Sequence, residues 1–263
     1  MTRTDPSLLR VTTPDDAPHV RVVHLSRGKV NAISLDLKHE ITRLFDALSD
    51  DGDVRAVVLT GNGRIFSAGA DLKERAHVTS GNGAYLSQNR VTRETFNAIA
   101  ECRKPVIAAI DGPAIGAGVG LAAAADFAVC VPQAYFHMPE VAVGMAGGAA
   151  SMLKLFPPAY ARYTYLLSKQ IPAEDLLRFG VVVDVVEPGE LMGRAIAMAT
   201  EISTRSPQVI EDVKQIFEVV SGMDPRKAYR YEQGMTIRFS DRGEFAGARM
   251  TQTDEGRSKE TPS

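Results

Sequence analysis

The chain has 263 residues, of which 44% are hydrophobic and 24% are charged, as is typical of soluble globular proteins, so a largely disordered chain is excluded. Its 30 basic and 32 acidic residues leave a formal net charge of -2, which gives no signature of nucleic-acid binding. Two cysteines, Cys102 and Cys130, are too few for a disulfide scaffold and lack metal-ligand spacing, which favours buried, reduced thiols.

The N-terminal sequence MTRTDPSLLR has no apolar stretch of the kind found in signal peptides, so we expect a cytoplasmic location. The longest weakly polar run, 113–125, is shorter than the roughly 18 to 20 apolar residues that a membrane span needs. We therefore expect neither a membrane nor a nucleic acid as a partner.

Short apolar runs alternate with helical patterns through much of the chain, which predicts an α/β core with a covered sheet. Strands are predicted over 19–26, 54–61, 104–112, 126–131 and 181–187. Helices are predicted after Ser34 as N-cap, around Phe96 and Ile99, through Met152 and Leu155, over 159–168, and over 173–179 before Gly180. A mobile surface loop is predicted at 76–87.

The final third of the chain is predicted to be helical. Helices are expected over 189–204, over 207–220 with Ser206 as N-cap, and over about 225–247. The predicted organisation is an α/β core over 1–195, a helical C-terminal region over 196–250 and a disordered polar tail over 251–263.

Two junctions between a strand and a helix are rich in glycine: VVLTGNGRIFSAGADLKE (57–74) and VIAAIDGPAIGAGVGLA (106–122). Glycines let the backbone approach a ligand closely, and a helix start offers unpaired N–H donors. One junction could bind an anion, whereas two that face each other could hold a single oxygen atom. The small residues at 114–126 also suit a helix packed closely between sheets, and the two interpretations are compatible.

Nucleotide-binding and nucleophile motifs do not fit these junctions. GAGVG (116–120) has Leu121 where the third glycine of a dinucleotide-binding loop should stand, and no P-loop Gly-Lys-Ser/Thr is present. IFSAG (65–69) lacks the first glycine of the GxSxG nucleophile elbow.

Three segments in the right order resemble the crotonase superfamily, also called the enoyl-CoA hydratase/isomerase family: IFSAGADLKE (65–74), KPVIAAIDGPAIGAGVGLAAAADF (104–127) and FHMPEVAVG (136–144). The resemblance covers about 18–240. It implies a crotonase-like ββα spiral core with a helical C-terminal trimerisation region, and a homotrimer or hexamer. It also implies an acyl-CoA thioester substrate that reacts through an enolate, with CoA as part of the substrate and no separate cofactor or metal.

The resemblance assigns the backbone N–H groups of Ala70 and Ala117 to the thioester oxygen, and Glu140 to acid–base chemistry. Family hydratases often carry a second glutamate at the position of Gly120, which has no carboxylate. One carboxylate suffices to move a proton in a 3-enoyl thioester, so isomerisation is favoured over efficient hydration. The alternatives are CoA-thioester hydrolysis, decarboxylation, or a non-catalytic acyl-CoA binding protein.

For CoA, the resemblance implies side chains near the phosphates and a surrounding backbone: Arg27, Lys29, Ala32, Ala68, Asp71 and Leu72. From the residues alone, Asp71 is favoured as a helix cap, and His137 and Asp126 as structural groups. The segment GMAGGAASM (144–152) is about two residues shorter than in relatives and lacks their proline, which leaves the preferred acyl group open.

Overall fold

The computed structural model describes residues 8–61, 63–76 and 83–243, with only the backbone of residues 75 and 76. Residues 77–82 of the predicted loop at 76–87 and all of the predicted tail at 251–263 lie outside the described residues. The last part of that predicted loop is helical, because a helix begins at Ala84, directly after Gly83 in the left-handed conformation.

A six-stranded sheet forms the centre of the core. Its strands are β1 (Leu9–Thr12), β2 (Val20–Leu25), β3 (Ala56–Thr60), β4 (Val106–Ile110), β6 (Phe127–Cys130) and β9 (Asp184–Val185). They lie in the order β1-β2-β3-β4-β6-β9, and all neighbours are parallel except the antiparallel pair β1–β2. Every residue of β3 and β4 is buried, as their continuous apolar runs predicted.

A second sheet, which the sequence did not predict, contains β5 (Ala114–Ile115), β7 (Tyr135–His137) and β8 (Gln170–Pro172), in the order β5-β7-β8. These strands are too short to show a clear alternation of apolar and polar residues. β1 was also missed, because only Leu9 is fully buried in it. The strand predicted over 181–187 shrinks to two residues. The N–H groups of Val181 and Val182 donate instead to the carbonyl of Leu176, which ends the preceding helix.

Eight helices of the described chain surround these sheets: α1 (Leu35–Asp50), α2 (Leu72–Ala76), α3 (Ala84–Ala100), α4 (Ala117–Ala124), α5 (Ala149–Leu155), α6 (Pro158–Leu166), α7 (Ala173–Arg178) and α8 (Leu191–Ser203). Ser34 caps α1 as predicted, because its Oγ accepts from the N–H of Leu37 at 3.2 Å. Gly180 follows α7 in the left-handed conformation (φ +71°), also as predicted. Both cysteines are buried thiols.

The chain divides into two compact units between Thr204 and Arg205, whereas the predicted boundary was residue 195. The difference arises because α8 belongs to the core, where Ala195 and Ala199 are fully buried. The second unit contains α9 (Pro207–Val220), capped by Ser206 as predicted, and α10 (Pro225–Asp241). No helix of the described residues is long and apolar enough to cross a membrane.

The ends of β3 and β4 meet around the carboxyl group of Asp111. A Cβ at Gly61, which follows β3, would stand 2.6 Å from Asp111 Oδ1, so the glycine is required for this close approach. Desolvation by burial raises the pKa of Asp111 to about 6, although hydrogen bonds from its own N–H and that of Gly63 oppose the shift. The carboxyl group of Asp111 therefore links the loop after β3 to the end of β4. Because it is partly buried, its ionisation lowers the stability of the folded state.

We predict that Asp111→Asn gains stability relative to wild type as the pH rises from about 4 to 7. Because the folded pKa of about 6 exceeds the unfolded value, the native state binds the extra proton in this window, and wild-type stability falls as that proton leaves. The relative gain is about 1–2 kcal/mol after allowance for partial solvent exposure. Urea unfolding at several pH values measures it, with the exposed Asp53→Asn as control; a difference independent of pH would contradict the assignment.

Candidate active site

The first glycine-rich junction is held by backbone bonds that leave the Ala70 N–H facing outward. The N–H of Ala68 donates to Val30 O at 2.9 Å, and the N–H of Asp71 donates to Ile33 O at 3.1 Å. Gly69 lies between them at φ +83°, a conformation that glycine adopts without strain. Among the described residues, no acceptor takes the Ala70 N–H.

Asn31 fixes the chain that leads into this junction. Its Nδ2 donates to the carbonyls of Ile65 and Phe66 at 3.3 and 3.2 Å, and its own carbonyl accepts from Ser67 Oγ at 2.8 Å. Asn31 is buried and has φ +49°, a region in which asparagine is one of the tolerated residues. The sequence analysis did not assign this positioning role to Asn31, because the sequence shows only an asparagine within SRGKVNAIS (26–34).

The second junction exposes the first N–H of α4. Gly116 donates its N–H to His137 O at 2.8 Å, and Ile115 donates to Ser67 O at 2.9 Å. Ala117 is the first residue of α4, so its N–H has no partner within the helix. In the described part of the chain no other acceptor takes it.

The two junctions face each other directly. A Cβ built on Gly69 would collide with the carbonyl oxygen of Ile115 and stand 3.3 Å from the N atom of Ala117. Two unpaired N–H groups on facing backbone segments are a donor pair, an arrangement that could donate to one oxygen atom, such as that of a developing enolate or tetrahedral species. The structure thus brings together Ala70 and Ala117, as the resemblance implied.

Glu140 places a carboxylate beside this donor pair. It is the first residue of a 3-10 turn, Glu140–Val143, that directly follows Met138 and Pro139 after β7. A Cβ on Gly116 would stand 2.8 Å from Glu140 Oε1, so the carboxylate lies against the residue that precedes Ala117. Glu140 Oε2 is buried. The apolar residues near Glu140 in the chain differ in exposure: Met138 is buried, whereas Val141 and Val143 are exposed.

A cavity of about 260 Å³ joins the donor pair to Glu140. Its lining includes Ala70, Ala117 and Glu140 together with the short loop of small residues after the 3-10 turn. Tyr165 holds that loop, because its hydroxyl donates to Gly147 O at 2.7 Å and accepts from Gly147 N at 3.1 Å. The cavity is therefore a pocket with a carboxylate and two backbone donors at one end.

Opposite Gly120, the cavity wall is an aromatic ring. A Cβ at residue 120 would stand 2.5 Å from Cζ of Phe96 and 2.9 Å from both Cε atoms of the ring. Phe96 and Gly120 both line the cavity. The place that a side chain at 120 would occupy is filled by this ring. Sequence reasoning assigned Phe96 only to a helix, because no local signal links it to a glycine on a different helix.

Of the residues that the resemblance assigned to CoA, Ala68, Asp71 and Leu72 belong to the first junction, and the structure gives several of the set other partners. Arg27 donates to Asp71 Oδ2 at 2.6 Å and to the carbonyl of Ala32 at 3.0 Å. Asp71 also caps α2, accepting from the N–H groups of Lys73 and Glu74.

Partial burial opposes ionisation of Asp71, but the hydrogen bond from Arg27 and those from the backbone outweigh it and hold the pKa of this carboxyl below its usual value. The capping interpretation of Asp71 is confirmed. Lys29 and Leu72 are exposed, and Ala68 lines the cavity. These positions leave the CoA assignment a prediction.

His137 and Asp126 have structural partners, as predicted. His137 Nε2 lies 3.2 Å from the carbonyl of Ser168, and Asp126 Oδ2 accepts from the N–H of Val106 at 2.6 Å. Within the residues that the structure describes, no group of three or more His, Cys, Asp or Glu side chains could hold a metal ion.

Comparisons with known proteins agree with this geometry. The family model for enoyl-CoA hydratase/isomerase matches residues 16–252. Carnitinyl-CoA dehydratase from Escherichia coli K12 is 36% identical over 218 residues, which cover 80% of each chain. The (7aS)-7a-methyl-1,5-dioxo-2,3,5,6,7,7a-hexahydro-1H-indene-carboxyl-CoA hydrolase from Rhodococcus jostii RHA1 is 33% identical over 86% of this chain and 88% of the relative.

Solved structures share the fold over nearly the whole chain. An enoyl-CoA hydratase from Mycobacterium smegmatis superposes with a TM-score of 0.88 and 26% identity, covering 95% of this chain and 97% of the other. DspI from Pseudomonas aeruginosa gives a TM-score of 0.84 and 28% identity, covering 91% and 98%.

We predict that Gly120→Ala destabilises the wild-type protein but stabilises Phe96→Ala. In a helix, alanine is favoured over glycine by about 1 kcal/mol. Against the Phe96 ring, the added methyl overpacks the wall at a cost of about 1–3 kcal/mol, which outweighs that preference. In Phe96→Ala the ring is absent, so Gly120→Ala adds only the helical preference for alanine over glycine. Denaturant unfolding of the four proteins measures the change of sign, and equal effects of Gly120→Ala in both backgrounds would show that the ring does not crowd residue 120.

Proposed function

The chain belongs to the enoyl-CoA hydratase/isomerase family, has the crotonase fold and is an enzyme of that type; from this premise, we propose that it converts an acyl-CoA thioester through an enolate, with Glu140 as the single acid–base carboxylate. The observation that carries the proposal is the position of Glu140 Oε1, 2.8 Å from where a Cβ on Gly116 would stand, because Gly116 directly precedes Ala117. A base and an oxygen-binding pair are thereby set side by side.

The proposed chemistry begins with the thioester oxygen between the N–H groups of Ala70 and Ala117. Glu140 removes a proton from C2, and the electrons of the C–H bond pass into the thioester, whose oxygen becomes negative. The two backbone donors stabilise that charge without reorganising, because the folded chain fixes them beforehand. Their role requires no side-chain chemistry, so alanine suffices at both positions.

For a 3-enoyl thioester, the protonated Glu140 then delivers a proton to C4. The double bond moves from C3–C4 to C2–C3, and no water is gained or lost. This isomerisation needs one carboxylate, and the apolar ring of Phe96 stands where a second would project from residue 120. The arrangement supports isomerisation over efficient hydration.

Hydration or dehydration is the second candidate, because the similarity to carnitinyl-CoA dehydratase is among the strongest found. That reaction requires a group to protonate a departing hydroxyl or to activate water, and Glu140 would have to serve in both proton transfers. Hydrolysis of a CoA thioester is the reaction named for the Rhodococcus jostii relative. In each case the donor pair would serve the same oxygen.

We also propose that Arg27 and Lys29 bind the phosphates of CoA, because guanidinium and ammonium groups suit phosphate. Arg27 is already oriented by Asp71, at 2.6 Å. CoA would enter as part of the substrate, with no further cofactor. A homotrimer or hexamer, a cytoplasmic location and the absence of nucleic-acid and membrane partners remain proposals.

We predict that Glu140→Gln abolishes exchange of the C2 proton of bound acyl-CoA with solvent and slows product formation by about 10² to 10⁴. The amide keeps the shape of the carboxylate but cannot accept the proton. Mass spectrometry in D2O with 2-enoyl-CoA and 3-enoyl-CoA follows deuterium uptake, double-bond migration and addition of water.

The exposed Glu94→Gln is the matched control on a neighbouring helix. Turnover by Glu140→Gln near the wild-type rate would remove Glu140 from the mechanism. Binding of CoA thioesters by wild type without any reaction would favour the non-catalytic alternative.

A further inference from the structure

We propose that Phe96 determines the outcome of the reaction, because its ring closes the cavity wall at Gly120 and keeps water from the face of the substrate opposite Glu140. The inference rests on the proposed enolate chemistry and deepens it. It assigns a residue that lines the cavity but has no group for proton transfer or for binding the thioester oxygen. Phe96 is thus a specificity-determining residue rather than a catalytic one.

The ring is held in place by the packing of its helix. Thr95, next to Phe96, is buried, and its Oγ1 donates to Val91 O at 2.8 Å and lies 3.4 Å from Lys38 O in α1. Ile99, one turn later on α3, is fully buried. Because Thr95 and Ile99 are buried, a rotation of α3 that withdrew the ring would also expose these two side chains. The contact with Gly120 is therefore a fixed part of the cavity wall.

The lack of a side chain at Gly120 explains why the Phe96 ring, rather than an empty space, is found at this part of the wall. A glycine in the middle of buried α4 leaves the volume of a side chain unoccupied, and unfilled volume in a packed region is unfavourable. The Phe96 ring takes that volume, with three of its carbons within 2.9 Å of the position of a Cβ. At this point the wall is apolar, because neither Gly120 nor the Phe96 ring has a side-chain group that could hydrogen-bond a water molecule; the polar side chains of the lining, such as Asn89 and Thr92, lie elsewhere in it.

The chemical consequence concerns the fate of a 2-enoyl thioester. Water addition forms a C3–O bond while one proton of that water reaches C2, so a water molecule must reach C3. Migration removes a proton from C4 and delivers one to C2, so it needs only Glu140. An apolar wall that excludes water allows the second path and suppresses the first. Truncation of the ring opens space for water beside Gly120 and Glu140.

The test compares wild type with Phe96→Ala, Phe96→Val and Phe96→Leu on 2-enoyl-CoA thioesters of several chain lengths. Mass spectrometry and chromatography give the initial rates of water addition and of migration to 3-enoyl-CoA. Solvent deuterium exchange at C2 of the matching saturated acyl-CoA gives the rate of enolate formation in each variant. Thermal unfolding shows that each variant is folded, and Phe96→Val provides a smaller truncation if Phe96→Ala is unstable.

We expect the ratio of water addition to migration to rise about ten-fold or more in Phe96→Ala, less in Phe96→Val, and to stay near the wild-type ratio in Phe96→Leu, whose side chain keeps the wall closed. An unchanged ratio in a folded truncation variant that still exchanges C2 protons would overturn the role of Phe96. Absence of both C2 exchange and double-bond migration in wild type would overturn the proposed function itself, and the role of Phe96 with it.

Discussion

The site depends on one constraint: two backbone N–H groups must stay unpaired and lie on facing segments, while the N–H groups of neighbours such as Ala68, Asp71 and Gly116 are paired. Gly69 meets this constraint on one side, because any side chain there would strike the carbonyl of Ile115. Gly116 meets it on the other, with φ +51° and the carboxylate of Glu140 in the space of a Cβ. The small residues of the two glycine-rich junctions are thus required by the close approach of two backbone segments.

The rest of the core serves to hold these segments. β3 and β4 are neighbours in the large sheet, so the loops that follow them emerge at the same edge. Asn31 and Asp111 then fasten the first loop, one by amide donors and one by a buried carboxyl. Glu140 approaches from the second sheet, where β7 pairs with β5 immediately before α4. The pocket therefore combines a donor pair, a carboxylate and an aromatic wall, each from a different element.

Much of this was predictable from sequence where the signal is local or carried by a motif. Continuous apolar runs gave β3 and β4, a capping serine gave the start of α1, and the family resemblance and crotonase fold are confirmed. The contact between Phe96 and Gly120 could not be predicted, since it depends on how α3 packs on α4. β9 begins later than predicted because the N–H groups of Val181 and Val182 donate to the carbonyl of Leu176, a competition that hydrophobic patterns do not reveal.

The most direct test of the account is the rate of C2 deuterium exchange in Ala117→Pro compared with Ala117→Gly. Proline lacks the N–H and is tolerated at the first position of a helix, whereas glycine keeps the donor. If the backbone donor stabilises the enolate oxygen, Ala117→Pro slows exchange by about 10² to 10³ while Ala117→Gly stays close to wild type. Exchange in a folded Ala117→Pro at the rate of Ala117→Gly would contradict the central claim that the backbone holds the charge.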